Sequence, residues 1–159
     1  MKNILLSVFV IFASLGVLGC SEKLPDGMPK LYKVTLVFQQ EGVPVSGASV
    51  RLVPQFTSQW GVGGSTNAQG QVQLKTHGEY VGVPAGKYKI CVTKNESEGE
   101  LPRMDRPTAP MKHFNLVEAQ YSSPDKTTLE IEITDGKNKF EPFDLGKAVR
   151  VELVPPGSR

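Results

Sequence analysis

Few residues in this chain of 159 could do chemistry, beginning with two histidines, His77 and His113, and two cysteines, Cys20 and Cys91. A metal centre wants three or four ligands at defined spacing, and neither histidine has the other or a cysteine near it in sequence. Nucleophilic catalysis wants a nucleophile, a base and a group that orients the base. Gly63-Gly64-Ser65 lacks the strand-turn-helix setting of a nucleophile elbow. The sequence therefore predicts no catalytic residue, no metal and no cofactor. What remains is aromatic: Trp60, Tyr80 and Tyr121 fall near loops, where amphipathic rings can stack on sugars or anchor a peptide. The plainer alternative has Trp60 plugging one end of a sandwich and the tyrosines closing its edges.

Cys20 differs from Cys91 in its setting. Met1-Lys2-Asn3 carries one positive charge, and Ile4 to Val17 then runs without any charge. A permanent membrane span needs about 20 apolar residues, so this shorter run suits a cleaved export signal. It closes on Val17-Leu18-Gly19-Cys20, which resembles the lipobox of bacterial lipoproteins, although Leu18 stands where small residues are commoner. The resemblance implies a signal peptide at 1–19, cleavage before Cys20 and diacylglycerol on the Cys20 thiol. It also implies acylation of the freed amine. Several acyl chains at about 0.8 kcal/mol per buried methylene make a lasting anchor. The chain is thus expected in the cell envelope, lipid-anchored on a periplasmic or surface face.

Acylation of Cys20 would leave Cys91 alone, so no intramolecular disulfide is expected and the fold must stand on its core. Charge is nearly balanced, with 18 basic and 16 acidic residues overall. Glu130 and Glu132, like Lys137 and Lys139, sit in mixed surroundings. No basic stripe points to nucleic acid.

The elements that position these residues are strands. Residues 20–30, with Pro25, Gly27 and Pro29, read as a lipidated N-terminus and tether. A two-residue period follows in Tyr32, Val34, Leu36 and Phe38, then in Ala48, Val50 and Leu52 up to Pro54. Residues 55–65, around Trp60, read as an exposed connection. Val72 and Leu74 mark another strand, as do Tyr88, Ile90 and Val92, which put Cys91 on the opposite face, half-buried or exposed. From 95 to 124 four prolines break the pattern, which predicts a long irregular loop. Periodicity returns in Leu129, Ile131 and Ile133, in a Phe140 to Leu145 strand kinked by Pro142, and in Val149, Val151 and Leu153.

About seven strands without a convincing helix predict an all-β fold, an antiparallel seven-stranded β-sandwich occupying 31–154, with 155–159 as a tail. Three segments, Gly42 to Val50, Thr66 to Val72 and Val83 to Tyr88, resemble the turn motifs of the carboxypeptidase regulatory-like domain, a transthyretin-like (Ig-like) sandwich. The resemblance covers roughly residues 32–94. Asn67 stands where that family usually has Asp and Val72 where it has an aromatic. Such motifs carry structure and no active residues. Enzymes sharing the sandwich fare poorly: the C-terminal tail lacks the tyrosine of hydroxyisourate hydrolases, and no iron-ligand spacing of intradiol dioxygenases is recognisable. The expectation is a non-catalytic envelope module, structural or engaged with another envelope protein, anchored to the membrane through Cys20. The alternative is a glycan- or peptide-binding module using Trp60, Tyr80 and Tyr121.

Overall fold

The computed structural model describes residues 24–99 and 111–153. The signal segment 1–19, Cys20, the middle of the 95–124 segment and the 155–159 tail lie outside the described residues.

The described chain is all-β in several sheets, consistent with a β-sandwich, with one short 3-10 turn at Ala119–Ser122. The larger sheet runs in the order Glu130–Ile133, Gly86–Thr93, Ser49–Pro54, Val62–Ser65, Lys75–Thr76, Tyr80–Val81, all neighbours antiparallel. Opposing it, Thr35–Gln40 pairs with Val43–Pro44 and Gln71–Gln73. The two-residue period explains the core, because alternate side chains of a strand share a face. Leu36, Phe38 and Val72 from one sheet join Val50, Leu52, Tyr88, Ile90, Val92, Ile131 and Ile133 from the other in a single buried cluster. Every buried side-chain polar atom among the described residues has a partner. Thr76 Oγ1 donates to the Gly82 carbonyl at 2.7 Å, and Thr127 Oγ1 donates to that of Ile90 at 2.9 Å.

Four expectations need correction. Residues 55–65 are not all connection, since Val62–Ser65 is a strand inside the larger sheet and Val62 is buried. Gly63 and Gly64 hid it, having no side chains to show a period. They are required by closeness: a Cβ at Gly63 would stand 2.7 Å from the Val50 carbonyl oxygen, and one at Gly64 would stand 2.7 Å from Val72 Cγ2.

The 95–124 segment is likewise not one irregular loop. Asn95–Glu98 pairs with Lys112–Asn115, which pairs in turn with Val151–Glu152 in a separate three-stranded sheet. Its residues are mostly exposed and polar, so burial left no imprint on the sequence. Its backbone ladder joins it, and charged side chains pair across its surface. Arg150 pairs with Glu96 and Glu98 and lies over the Phe114 ring at 3.8 Å, while Lys112 Nζ is 3.6 Å from Glu152 Oε1.

The last strand is shorter than expected and not a core strand, because Val151 and Leu153 are exposed at its edge. The Phe140 to Leu145 strand reduces to Phe143–Asp144, and its pairing with Thr35–Gln40 is parallel. Its apolar residues still reach the core: Leu145 is fully buried, and Phe143 stacks on Phe38 with ring centres 5.5 Å apart.

Candidate functional site around Trp60

Pro54 ends its strand, and the following strap, residues 55–61, is fastened at both ends. At the near end Gln55 N donates to the Lys87 carbonyl at 2.9 Å, and Gln55 Nε2 donates to Glu130 Oε1 at 3.0 Å. Phe56 lies over Gly86, where any Cβ would collide with the ring, and meets Tyr88 edge-on at 5.4 Å. At the far end His77 N donates to the Gly61 carbonyl at 2.8 Å. The Trp60 indole lies against the His77 imidazole, ring centres 5.0 Å apart and tilted by 55°.

His77 is held in the left-handed region, φ 54°, beside Gly78 at φ 76°. That conformation costs a residue with a Cβ about 1–2 kcal/mol. The turn that joins the paired residues Thr76 and Tyr80 imposes it, and the imidazole there meets the indole.

Two clefts flank the strap and share Ser58, Gln59 and Trp60. One, of about 680 Å³, lies over the outer face of the larger sheet and is bordered by Arg51, Gly63, Lys75 and His77. The other, of about 600 Å³, is bordered by Lys30, Tyr32, Phe56, Thr57 and Ala85. Both volumes fall in the range of about 300–1,000 Å³ typical of small-molecule sites. Neither lining contains a carboxylate.

The first cleft has an ordered floor. Arg51 is the direct cross-strand partner of Gly63, and Gly63 of Lys75. With strands spaced by about 4.8 Å, the two cationic stems rise about 10 Å apart with a bare glycine between them. Other cations on this sheet face acids: Lys87 stands opposite Glu132, and Lys89 opposite Glu130 with an ion pair at 3.8 Å. Among the described residues neither Arg51 nor Lys75 takes part in an ion pair.

Of the three aromatics singled out from sequence, the structure brings only Trp60 to this site. Tyr80 sits half-buried in the Tyr80–Val81 strand and borders neither cleft. Tyr121 belongs to the core, 8% exposed. Burial raises its phenol pKa, the Glu118 and Asp144 carboxylates add to this, and a hydrogen bond with Gln120 opposes it. A ring so placed packs against the protein rather than a ligand. Cys91 is buried as well, on the face opposite Ile90 and Val92 and outside the main core cluster.

One pairing escaped sequence reasoning. Ser97 and His113 are cross-strand partners, with Ser97 Oγ 2.8 Å from His113 Nδ1. Both residues are exposed and border neither cleft. Among the described residues no group of three His, Cys, Asp or Glu converges on a metal position. Compared with protein-family models, curated proteins and solved structures, the chain matches none.

Proposed function

We propose that the chain is a non-catalytic, lipid-anchored protein of the bacterial cell envelope whose seven-stranded, transthyretin-like sandwich serves as a structural or protein-interaction module. The observation that carries this reading is the uncharged run from Ile4 to Val17 closing on Gly19-Cys20. The first strand begins at Leu31, after a turn in which Met28 N donates to the Pro25 carbonyl at 3.0 Å, so residues 20–30 would separate the lipid from the domain. The resemblance to the carboxypeptidase regulatory-like domain is supported by the motif glycines: Gly47, Gly70 and Gly86 all have positive φ, which side chains resist.

Mass spectrometry of the protein from its native cells should find an N-terminal Cys20 bearing acyl chains. Cys20→Ala should release the chain from the membrane fraction. An intact N-terminus, or a trimmed one without lipid, would overturn the proposal.

A second reading, a glycan- or peptide-binding module, is favoured by one observation, the presence of a cleft on each side of Trp60. Glycan and peptide arrays test it. Binding that Trp60→Ala abolishes supports ligand recognition, and silence on both arrays leaves the structural role.

A further inference from the structure

We propose that the groove past Trp60 binds a linear, carboxylate-bearing polysaccharide, with Arg51 and Lys75 holding a uronate carboxylate above Gly63 and the Trp60 indole stacking on an adjoining sugar ring. The inference rests on the second reading above and names its ligand class.

Charge comes first. Arg51, Lys75 and Lys30 border the two clefts, and no acid does. A carboxylate seated between two cations about 10 Å apart can reach both side chains, and an arginine fork grips it with two parallel hydrogen bonds. Gly63 keeps the floor bare, and it stays a glycine because a Cβ would strike the Val50 carbonyl.

Length comes second. Two clefts that share Trp60 and its neighbours Ser58 and Gln59 form a track longer than one sugar, which suits a polymer lying across the strap. Hydroxyl and amide side chains can exchange hydrogen bonds with sugar hydroxyls, and an indole offers a flat face to the C–H side of a pyranose.

A single-stranded nucleic acid is also a polyanion with stackable rings. Such ligands want successive aromatic platforms, whereas the cleft that holds Arg51 and Lys75 has a single Trp, Tyr or Phe on its border, Trp60, and Tyr32 and Phe56 border the other cleft. Trp60 is shared by both clefts, and the proposed export of the chain would put it among envelope glycans.

Trp60 is the chain's single tryptophan, so its fluorescence reads the site directly. The full chain in detergent micelles is titrated with three probes: polygalacturonate, fully methyl-esterified polygalacturonate, and oligodeoxythymidylate. Polygalacturonate should change the emission saturably, and its affinity should fall roughly tenfold between 0.05 and 0.5 M salt as the ion pairs are screened. The double variant Arg51→Gln/Lys75→Gln should bind at least about tenfold more weakly, as expected when two charge-assisted contacts are lost. Lys137→Gln/Lys139→Gln should bind as the parent does. Thermal melting checks that each variant folds, and Arg51→Gln alone serves if the double variant does not.

Equal binding of the methyl ester would overturn the acidic ligand while leaving the binding module intact. Tighter binding of oligodeoxythymidylate would overturn the polysaccharide. Silence toward all three probes, with a positive Trp60-dependent array, would overturn the polyuronate alone, whereas silence on the arrays too would remove the binding module with it.

Discussion

The imidazole of His77 reaches the indole of Trp60 from a backbone conformation that most side chains avoid, with φ at 54° and ring centres 5.0 Å apart. The ring contact and the strained backbone act in opposite directions, and substitution can separate them.

His77→Ala keeps the positive φ and loses the ring, so it should cost about 1 kcal/mol of stability, the size of an aromatic pair. His77→Gly also loses the ring but relieves the backbone. The glycine variant should therefore be more stable than the alanine variant by about 1 kcal/mol, read from urea unfolding. Equal stabilities would mean that the turn carries no strain.

Tyr88 donates its hydroxyl hydrogen to the Pro84 carbonyl at 3.0 Å from a fully buried position. Tyr88→Phe leaves that carbonyl without its donor and should cost about 1 kcal/mol at neutral pH.

Burial also pushes the Tyr88 phenol from 10.0 up to about 12. A pKa raised by folding stabilises the neutral form, so this contribution is whole below pH 10 and is lost as pH rises toward 12. Urea midpoints measured across that window should fall more steeply for the parent than for Tyr88→Phe, with parallel curves as the contrary result.

Asn67 Oδ1 accepts hydrogen bonds from Gln69 N and Gln71 N, both at 2.9 Å, and so closes the turn before the Gln71–Gln73 strand. Asn67→Ala should cost about 1 kcal/mol. Asn67→Asp keeps the accepting oxygen and should stay within about 0.5 kcal/mol of the parent, as for a surface change. A large loss in the Asp variant would show that the amide group does something the carboxylate does not.

Cys91 is buried, so a thiol reagent should reach it only through opening of the fold. Chain purified from its native cells should show almost no labelling when folded and one thiol in urea, because acylation would occupy Cys20. Two thiols in urea would contradict lipidation, and fast labelling of the native protein would contradict the burial of Cys91.

The core was legible because burial stamps a period of two on a strand. Spacing alone puts Leu36 with Phe38, Val50 with Leu52, and Ile131 with Ile133 on one strand face each, and all six are buried. Where burial does not act, the sequence is silent. Asn95–Glu98 and Lys112–Asn115 pair as antiparallel strands of polar, mostly exposed residues, with Arg150 paired to Glu96 and Glu98, and no period marks them. Val62–Ser65 went unseen for a different reason, because its central residues are glycines selected by the closeness of Val50 and Val72. Tyr121 lies where the strand period is lost, which suggests a surface loop, whereas the 3-10 turn folds that ring inward.

The sequence by itself determined the two-faced strands and the turns that join them, and its N-terminal order of charge, apolar run and cysteine is the ground of the proposed anchor. These are local properties, written within a few consecutive residues. Only the tertiary structure decided that Arg51 and Lys75, 24 positions apart, stand on either side of Gly63, and that Trp60 meets His77. Cross-strand register sets such neighbours, and register arises when whole faces are buried together rather than from any single segment.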